Sequence, residues 1–198
     1  MDNIIQLKIT LQGTKPPIWR RLLVDKMTTF EQLHHIIQIS MGWTNTHLYE
    51  FEINGIIISE PDEDLDAEFG DKFFDASTVT LDSIITDTKE KFEYTYDFGD
   101  CWEHLIVVEK FLPRDTQTKY PTCIDGKLNC PPEDCGSISG FYSLLDIIGN
   151  KRHPKRKEML EWLGGDYDAE YFDKNEINQQ LASLDSYIKE MKELRGNY

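Results

Sequence analysis

Polar and apolar residues alternate along the first part of the chain with a period of two, the repeat of a strand that buries one face. Ile5, Leu7, Ile9 and Leu11 fall on one side of the stretch Ile4 to Leu11, and Gly13 with Pro16-Pro17 then turns the chain. Ile18 to Val24 returns as a second strand, with Trp19, Arg21 and Leu23 on one face and Arg20 and Leu22 on the other. The period then lengthens to that of a helix. Phe30, Leu33, Ile36, Ile37 and Met41 form its apolar stripe, Thr28 or Thr29 stands at the N-cap with Glu31 or Gln32 three residues on, and Gly42 ends it. Two further apolar runs, Leu48 to Ile53 and Ile56 to Ser59, flank Asn54-Gly55, a dipeptide suited to the left-handed conformations of a tight hairpin turn.

Thr80 to Ile85 reads as a short capped turn of helix. Lys91 to Phe98 alternates through Phe92, Tyr94, Tyr96 and Phe98 as a half-buried strand, and Trp102 to Phe111 is its expected hairpin partner across Gly99-Asp100. The order predicts an α+β fold: a β-grasp-like, mostly antiparallel sheet with one crossing helix over residues 4–112. Residues 113–136 hold four of the eight prolines and three of the four cysteines and read as a structured Cys/Pro loop. C-terminal helices follow, with stripes at Phe141, Leu144, Leu145 and Ile148, at Met159, Leu160 and Leu163, and in one long run from Ile177 through Leu181, Leu184, Ile188 and Met191 to Leu194. These stripes are expected to bury against a face of the sheet, so that residues 113–198 pack on residues 4–112 as one compact unit.

Charge narrows the classes of partner. The 198 residues carry 21 Lys and Arg against 36 Asp and Glu, a formal charge of −15, which opposes the approach of a phosphate backbone. Specific nucleic-acid binding is therefore not expected, and a protein partner is. Two local runs stand out: Lys151 to Lys157 places five cations in seven positions, and Glu60 to Asp71 places seven carboxylates in twelve. Each reads as a solvated face, and their opposite signs would let them pair. No apolar run approaches the ~20 residues of a membrane helix, and Met1-Asp2-Asn3 lacks the basic-then-apolar design of a signal peptide, so the expected location is cytoplasmic. Four cysteines are too sparse for a disulfide scaffold and read as thiols or metal ligands.

Four strings are more particular than periodicity requires. They are Pro17-Ile18-Trp19-Arg20-Arg21; Leu33-His34 through Met41-Gly42-Trp43 to His47-Leu48; Tyr96-Asp97-Phe98-Gly99-Asp100 with Trp102-Glu103-His104; and Cys123 to Gly136, containing Cys130-Pro131-Pro132-Glu133-Asp134-Cys135-Gly136. In this order they closely resemble the plasmid pRiA4b open-reading-frame-three-like family, from about residue 4 to Asn178, with Phe172-Asp173 and Asn178 matching its closing motif. The resemblance implies a mobile-element context, with a resolvase-like label, and supplies no catalytic roles. The chain departs from the pattern at Tyr49, where a second histidine often follows His-Leu, and in the basic stretch around His153. Recombinase chemistry is rejected, because no nucleophilic serine among arginines and no helix-turn-helix is present.

The chemistry must then be weighed from residue types. Cys123, Cys130 and Cys135 offer three soft ligands for a structural zinc, with His104, Cys101 or His153 able to complete a tetrahedron. Buried reduced thiols pinning the Pro-rich loop are the plainer alternative. His34, His47, Asp97, Asp100, Glu103 and His104 are the polar members of otherwise apolar strings, the raw material of metal binding or acid–base work. Against that, His34 beside the core stripe reads as a satisfied histidine, and Asp97 to Asp100 as a tight turn with Gly99 at positive φ and Asp100 bonding local backbone. There is no phosphate loop, no G-x-S-x-G and no H-E-x-x-H. Two functional readings stand: a non-enzymatic binding or adaptor module, or a metal-dependent hydrolase or nuclease using His34, His47, Asp97, Asp100 and His104.

Overall fold

The computed structural model describes residues 2–61 and 70–195. Most of the acidic run from Glu60 to Asp71 thus lies outside the described residues. The fold is α+β, with eight strands in one sheet: β1 (Asp2–Leu11), β2 (Trp19–Asp25), β3 (Tyr49–Ile53), β4 (Ile56–Ser59), β5 (Phe73–Asp75), β6 (Lys91–Tyr96), β7 (Trp102–Pro113) and β8 (Thr122–Lys127). Their order across the sheet is β5-β4-β3-β6-β7-β1-β2-β8. Every pairing is antiparallel except β4 with β5. β1 is central, and its inward residues Ile5, Leu7, Ile9 and Leu11 are completely buried. The opposite face is polar, as an antiparallel sheet with one wet face requires. There Arg21 forms a forked pair with Glu109, Gln6 donates to the same carboxylate, and Lys8 and Arg21 both lie over the Trp19 ring.

Helix α1 (Phe30–Met41) crosses the inner face. Of the two caps the sequence offers, Thr29 serves: its hydroxyl accepts from Gln32 N–H while the Gln32 side chain accepts from Thr29 N–H. Gly42 closes the helix in the left-handed region at φ 87°, its N–H bonded to Gln38 O. Asn54 and Gly55 take φ of 53° and 78°, the paired positive values of the expected hairpin turn. A short α2 (Leu81–Ile84) follows, then α3 (Ser137–Gly149), α4 (Arg156–Trp162), α5 (Lys174–Leu181) and α6 (Leu184–Arg195). Among the described residues no helix is long and apolar enough to cross a membrane.

Three features depart from the sequence reading. The Cys/Pro segment contains a strand, β8, which extends the sheet beyond β2 and so joins residues 113–198 to the sheet of residues 4–112. The single long C-terminal run is two helices, broken at Ala182 and Ser183, so that both Leu181 and Leu184 are buried. Finally, α5 and α6 pack on α1, and α5 also on β8, rather than spreading over the sheet. That cover explains why α1 is buried nearly all round, including His35, whose ring meets Tyr187 of α6, and Ile39 on the side away from its apolar stripe. It also resolves the exposed edge of β8: the Asn178 amide accepts from Cys123 N–H and donates to Cys123 O, pairing with the strand as another strand would.

Close approach at this edge makes Gly126 specific. A Cβ there would lie 2.5 Å from the Phe172 ring and 3.0 Å from Trp19 O. Gly126→Ala is therefore expected to destabilise the protein by about 1–3 kcal/mol, as overpacking does. Gly149→Ala, at a helical position with nothing within 4 Å, is expected to stabilise it by about 0.5 kcal/mol through backbone entropy. Urea unfolding of the two variants beside the wild type measures both signs.

Candidate metal centre

Three loops meet at the end of the sheet where α1 leads into β3. The α1–β3 loop carries His47, the β6–β7 turn carries Asp97, and the segment between β8 and α3 carries Asp134. His47 Nε2 lies 3.7 Å from Asp97 Oδ2 and 3.4 Å from Asp134 Oδ1. Among the described residues this is the group of metal-ligating side chains whose donor atoms all fall within 4.8 Å of one another. Ligands of a tetrahedral ion at about 2.0–2.1 Å stand ~3.4 Å apart, so the spacing is that of a ligand set. His47 Nε2 is shielded from water and makes no hydrogen bond, although two carboxylate oxygens face it. Asp97 is buried and Asp134 exposed, which leaves one side of the group open. A cleft of about 450 Å³ adjoins it, lined by Thr46, Leu48, Glu60 and Phe98 beside His47 and Asp97.

Each aspartate of the group is held by its own local structure. Asp97 sits at φ 58° and Asp134 at φ 57°, left-handed values that cost a non-glycine residue about 1–2 kcal/mol. Asp97 N–H donates to Leu48 O, and its carboxylate accepts from Gly99 N–H at 2.9 Å, leaving Oδ2 turned to His47. The positive φ of this turn falls on Asp97 and Cys101, not on Gly99 as the sequence suggested, and Asp100 bonds a distant backbone rather than a local one. The Asp134 segment is clamped at three points. Trp43 Nε1 donates to Pro131 O at 2.9 Å, Glu133 accepts from Tyr96 OH and from Thr44 N–H and hydroxyl, and Asp100 accepts from Gly136 N–H at 3.0 Å. Burial and the Glu133 carboxylate push the Tyr96 phenol well up, so it remains a donor.

Of the five residues expected to act together in a hydrolase, only His47 and Asp97 converge. His34 is a core residue: Nδ1 lies 2.8 Å from Tyr94 OH, Nε2 lies 2.6 Å from Asn45 Oδ1, and its ring stacks on Tyr49. An acceptor at Nε2 places the proton there, and Gln38 donating to Tyr94 OH turns the phenol toward Nδ1. His104 is completely buried against Trp43, with Nδ1 3.3 Å from Tyr94 O. Asp100 is a clamp, as above. Glu103 is exposed on β7. Asp134, the third member of the group, was visible only as one member of the Cys130 to Gly136 string.

The cysteines, expected around zinc, occupy separate settings. Cys130 Sγ donates to Met41 Sδ and accepts from Arg20, Cys123 Sγ donates to Asp125 O, Cys135 is half-buried and Cys101 is exposed. The sulfurs of Cys123, Cys130 and Cys135 do not form a group within 4.8 Å. Burial pushes all three thiols up, Cys135 to about 12, which favours the protonated form that these hydrogen bonds use. His153 lies in the basic run, its Nδ1 accepting from Lys155 N–H.

Three comparisons bear on this arrangement. A sequence profile described as "Plasmid pRiA4b ORF-3-like protein" matches residues 3–176. "Uncharacterized protein y4hQ" of Sinorhizobium fredii (strain NBRC 101917 / NGR234) is 37% identical over 184 residues, 92% of each chain. The crystal structure of MM3350 from Methanosarcina mazei Go1, titled a protein of unknown function, superimposes with a TM-score of 0.77 at 34% identity, covering 87% of this chain and 96% of that one. All the residues of the three-loop cluster lie within the matched span.

His104 gives this region a pH signature. Burial lowers its pKa to about 4 from the ordinary 6.5. The unfolded chain therefore takes up a proton below about 6.5 that the folded one refuses until about 4, and stability present at neutral pH is lost across that window. At about 1.4 kcal/mol per unit, His104 accounts for roughly 3 kcal/mol of the loss. The pH dependence of urea unfolding between 7 and 4 is expected to flatten by about that amount in His104→Gln, and parallel curves would contradict the assignment.

Proposed function

This chain belongs to the plasmid pRiA4b ORF-3-like family, and from that premise we propose that it is a cation-dependent binding module. One divalent ion is held by His47 Nε2, Asp97 and Asp134, and its remaining coordination positions face the adjoining cleft. The observation that carries this reading is the buried, unbonded Nε2 of His47 set between two carboxylate oxygens. A buried polar nitrogen with no partner is costly, and an ion bridging the three atoms would satisfy it along with the Asp97 carboxylate. One imidazole with two carboxylates suits Mn²⁺, Fe²⁺ or Zn²⁺ better than Mg²⁺ or Ca²⁺, which favour all-oxygen sites. The formal charge of −15 raises the local concentration of cations and disfavours a long polyanion such as a nucleic acid. On this reading the sheet and α1 form a β-grasp-like platform, supported by the order of a β1–β2 hairpin, α1 and a β3–β4 hairpin. The platform positions the three loops, and an oxygen atom of the bound partner completes the ion's coordination.

A second reading, metal-dependent hydrolysis, is favoured by one feature: three protein ligands with an open side are the pattern of catalytic rather than structural metal sites. It would use His47, Asp97 and Asp134, with Glu60, a carboxylate that lines the cleft, as base.

Isothermal titration with Mn²⁺ and Zn²⁺ tests the site that both readings share. The wild type is expected to bind one equivalent with micromolar affinity, and His47→Ala and Asp134→Asn to weaken it at least tenfold, the scale of losing about 1.4 kcal/mol or more. Equal binding by wild type and both variants would overturn the site. Mn²⁺-dependent turnover of bis(p-nitrophenyl) phosphate, lost in Asp97→Asn, would establish the second reading over the first.

A further inference from the structure

The basic run lies far from the three-loop cluster in sequence and forms a surface of its own. It spans the α3–α4 turn and the start of α4, where Lys151, Arg152, Lys155 and Lys157 are exposed and His153 and Arg156 half-buried. The turn is built rather than slack. His153 N–H donates to Asn150 O, Arg152 N–H to the Asn150 side chain, Lys155 N–H to His153 Nδ1, and Arg156 Nε to Ile148 O at 2.8 Å. Lys151, His153, Arg156 and Lys157 line an open concavity of about 620 Å³ together with Leu160 and Glu161, and Arg152 and Lys155 are exposed on the same turn outside its lining. Among the described residues, Lys157 pairs with Glu161, whereas Lys151, Arg152, Lys155 and Arg156 have no carboxylate within 4.0 Å. The pairing with the acidic run that the sequence suggested is thus absent for Glu60 and Asp71, the ends of that run that are described.

We infer that this basic turn, with the concavity beside it, is a docking surface for a short acidic segment of a protein partner. Unpaired cations held in place by backbone hydrogen bonds attract carboxylates without the entropy cost of ordering a loop. Length decides between a peptide and a nucleic acid. A duplex carries one charge every ~1.7 Å and continues beyond any patch of seven residues, where it would meet Asp146, Glu158, Asp166 and Asp168 on the flanking elements of a chain that is −15 overall. A segment of four or five acidic residues ends where the cations end, and an apolar residue beside it has Leu160 in the lining of the concavity to rest on. This inference does not depend on the metal centre.

Fluorescence anisotropy of a labelled eight-residue Asp/Glu peptide containing one Leu, with a long DNA duplex as competitor, tests it on the full chain. The peptide is expected to bind at 50 mM salt and to weaken about tenfold by 300 mM, because exposed pairs are screened. Lys151→Glu/Arg152→Glu/Lys155→Glu should abolish binding, and the milder Lys151→Gln/Lys155→Gln should weaken it at least threefold with an unchanged melting curve. His47→Ala should bind the peptide as the wild type does. No saturable binding at 50 mM salt, binding unaltered in the Gln variant, or displacement of the peptide by the equimolar duplex would each overturn the inference.

Discussion

A buried guanidinium holds this molecule together. Arg20 points from β2 into the core, 3% exposed, where an unsatisfied charge would cost several kcal/mol. Its N–H groups donate to Ser40 O at the end of α1, to Trp19 O, to Lys127 O at the end of β8, and to Cys130 Sγ, while the Phe172 ring covers its plane. One side chain thereby fixes the crossing helix, the edge strand, the Cys/Pro segment and the chain entering α5 relative to the sheet. The acceptors are backbone carbonyls and a sulfur, so displacing any one of these elements would leave an N–H of a buried charge unpaired. The fit at Gly126, where Phe172 leaves no room for a Cβ, belongs to the same constraint.

The three-loop cluster depends on this arrangement at one remove. Cys130, held by Arg20, begins the segment that Trp43, Tyr96, Thr44 and Asp100 then clamp, and Asp134 is presented to His47 and Asp97 from within that clamp. Left-handed backbone at Asp97 and Asp134 is tolerated because hydrogen bonds on both sides of each residue over-determine it. Rigid support of this kind is what a ligand set with an exposed member needs if its affinity is not to be spent on ordering loops.

The parts of the fold that periodicity controls were legible in the sequence, and the parts that long-range packing controls were not. The inward alternation of β1, the capped stripe of α1 and the Asn54-Gly55 hairpin each follow from local rules. β8 was hidden because an edge strand reading Thr-Cys-Ile-Asp-Gly-Lys shows no alternation, and its edge is satisfied by Asn178 from a distant helix. The long C-terminal stripe concealed a break because Leu181 and Leu184 are both apolar and both buried. At the site, residue type singled out His47 and Asp97, and it also singled out His34 and His104, whose polarity serves hydrogen bonds within the core. Asp134 could not be paired with them from spacing, because its position is set by the clamp at Glu133 rather than by any regular element.

The central claim is that His47, Asp97 and Asp134 form one ligand set, and anomalous scattering from crystals soaked in Mn²⁺ tests it most directly. The account predicts a single strong anomalous peak within about 2.0–2.3 Å of His47 Nε2 and of one oxygen from each aspartate, coordination distances for a first-row ion. A peak among Cys123, Cys130 and Cys135 instead, or no peak beside His47 at saturating Mn²⁺, would contradict it.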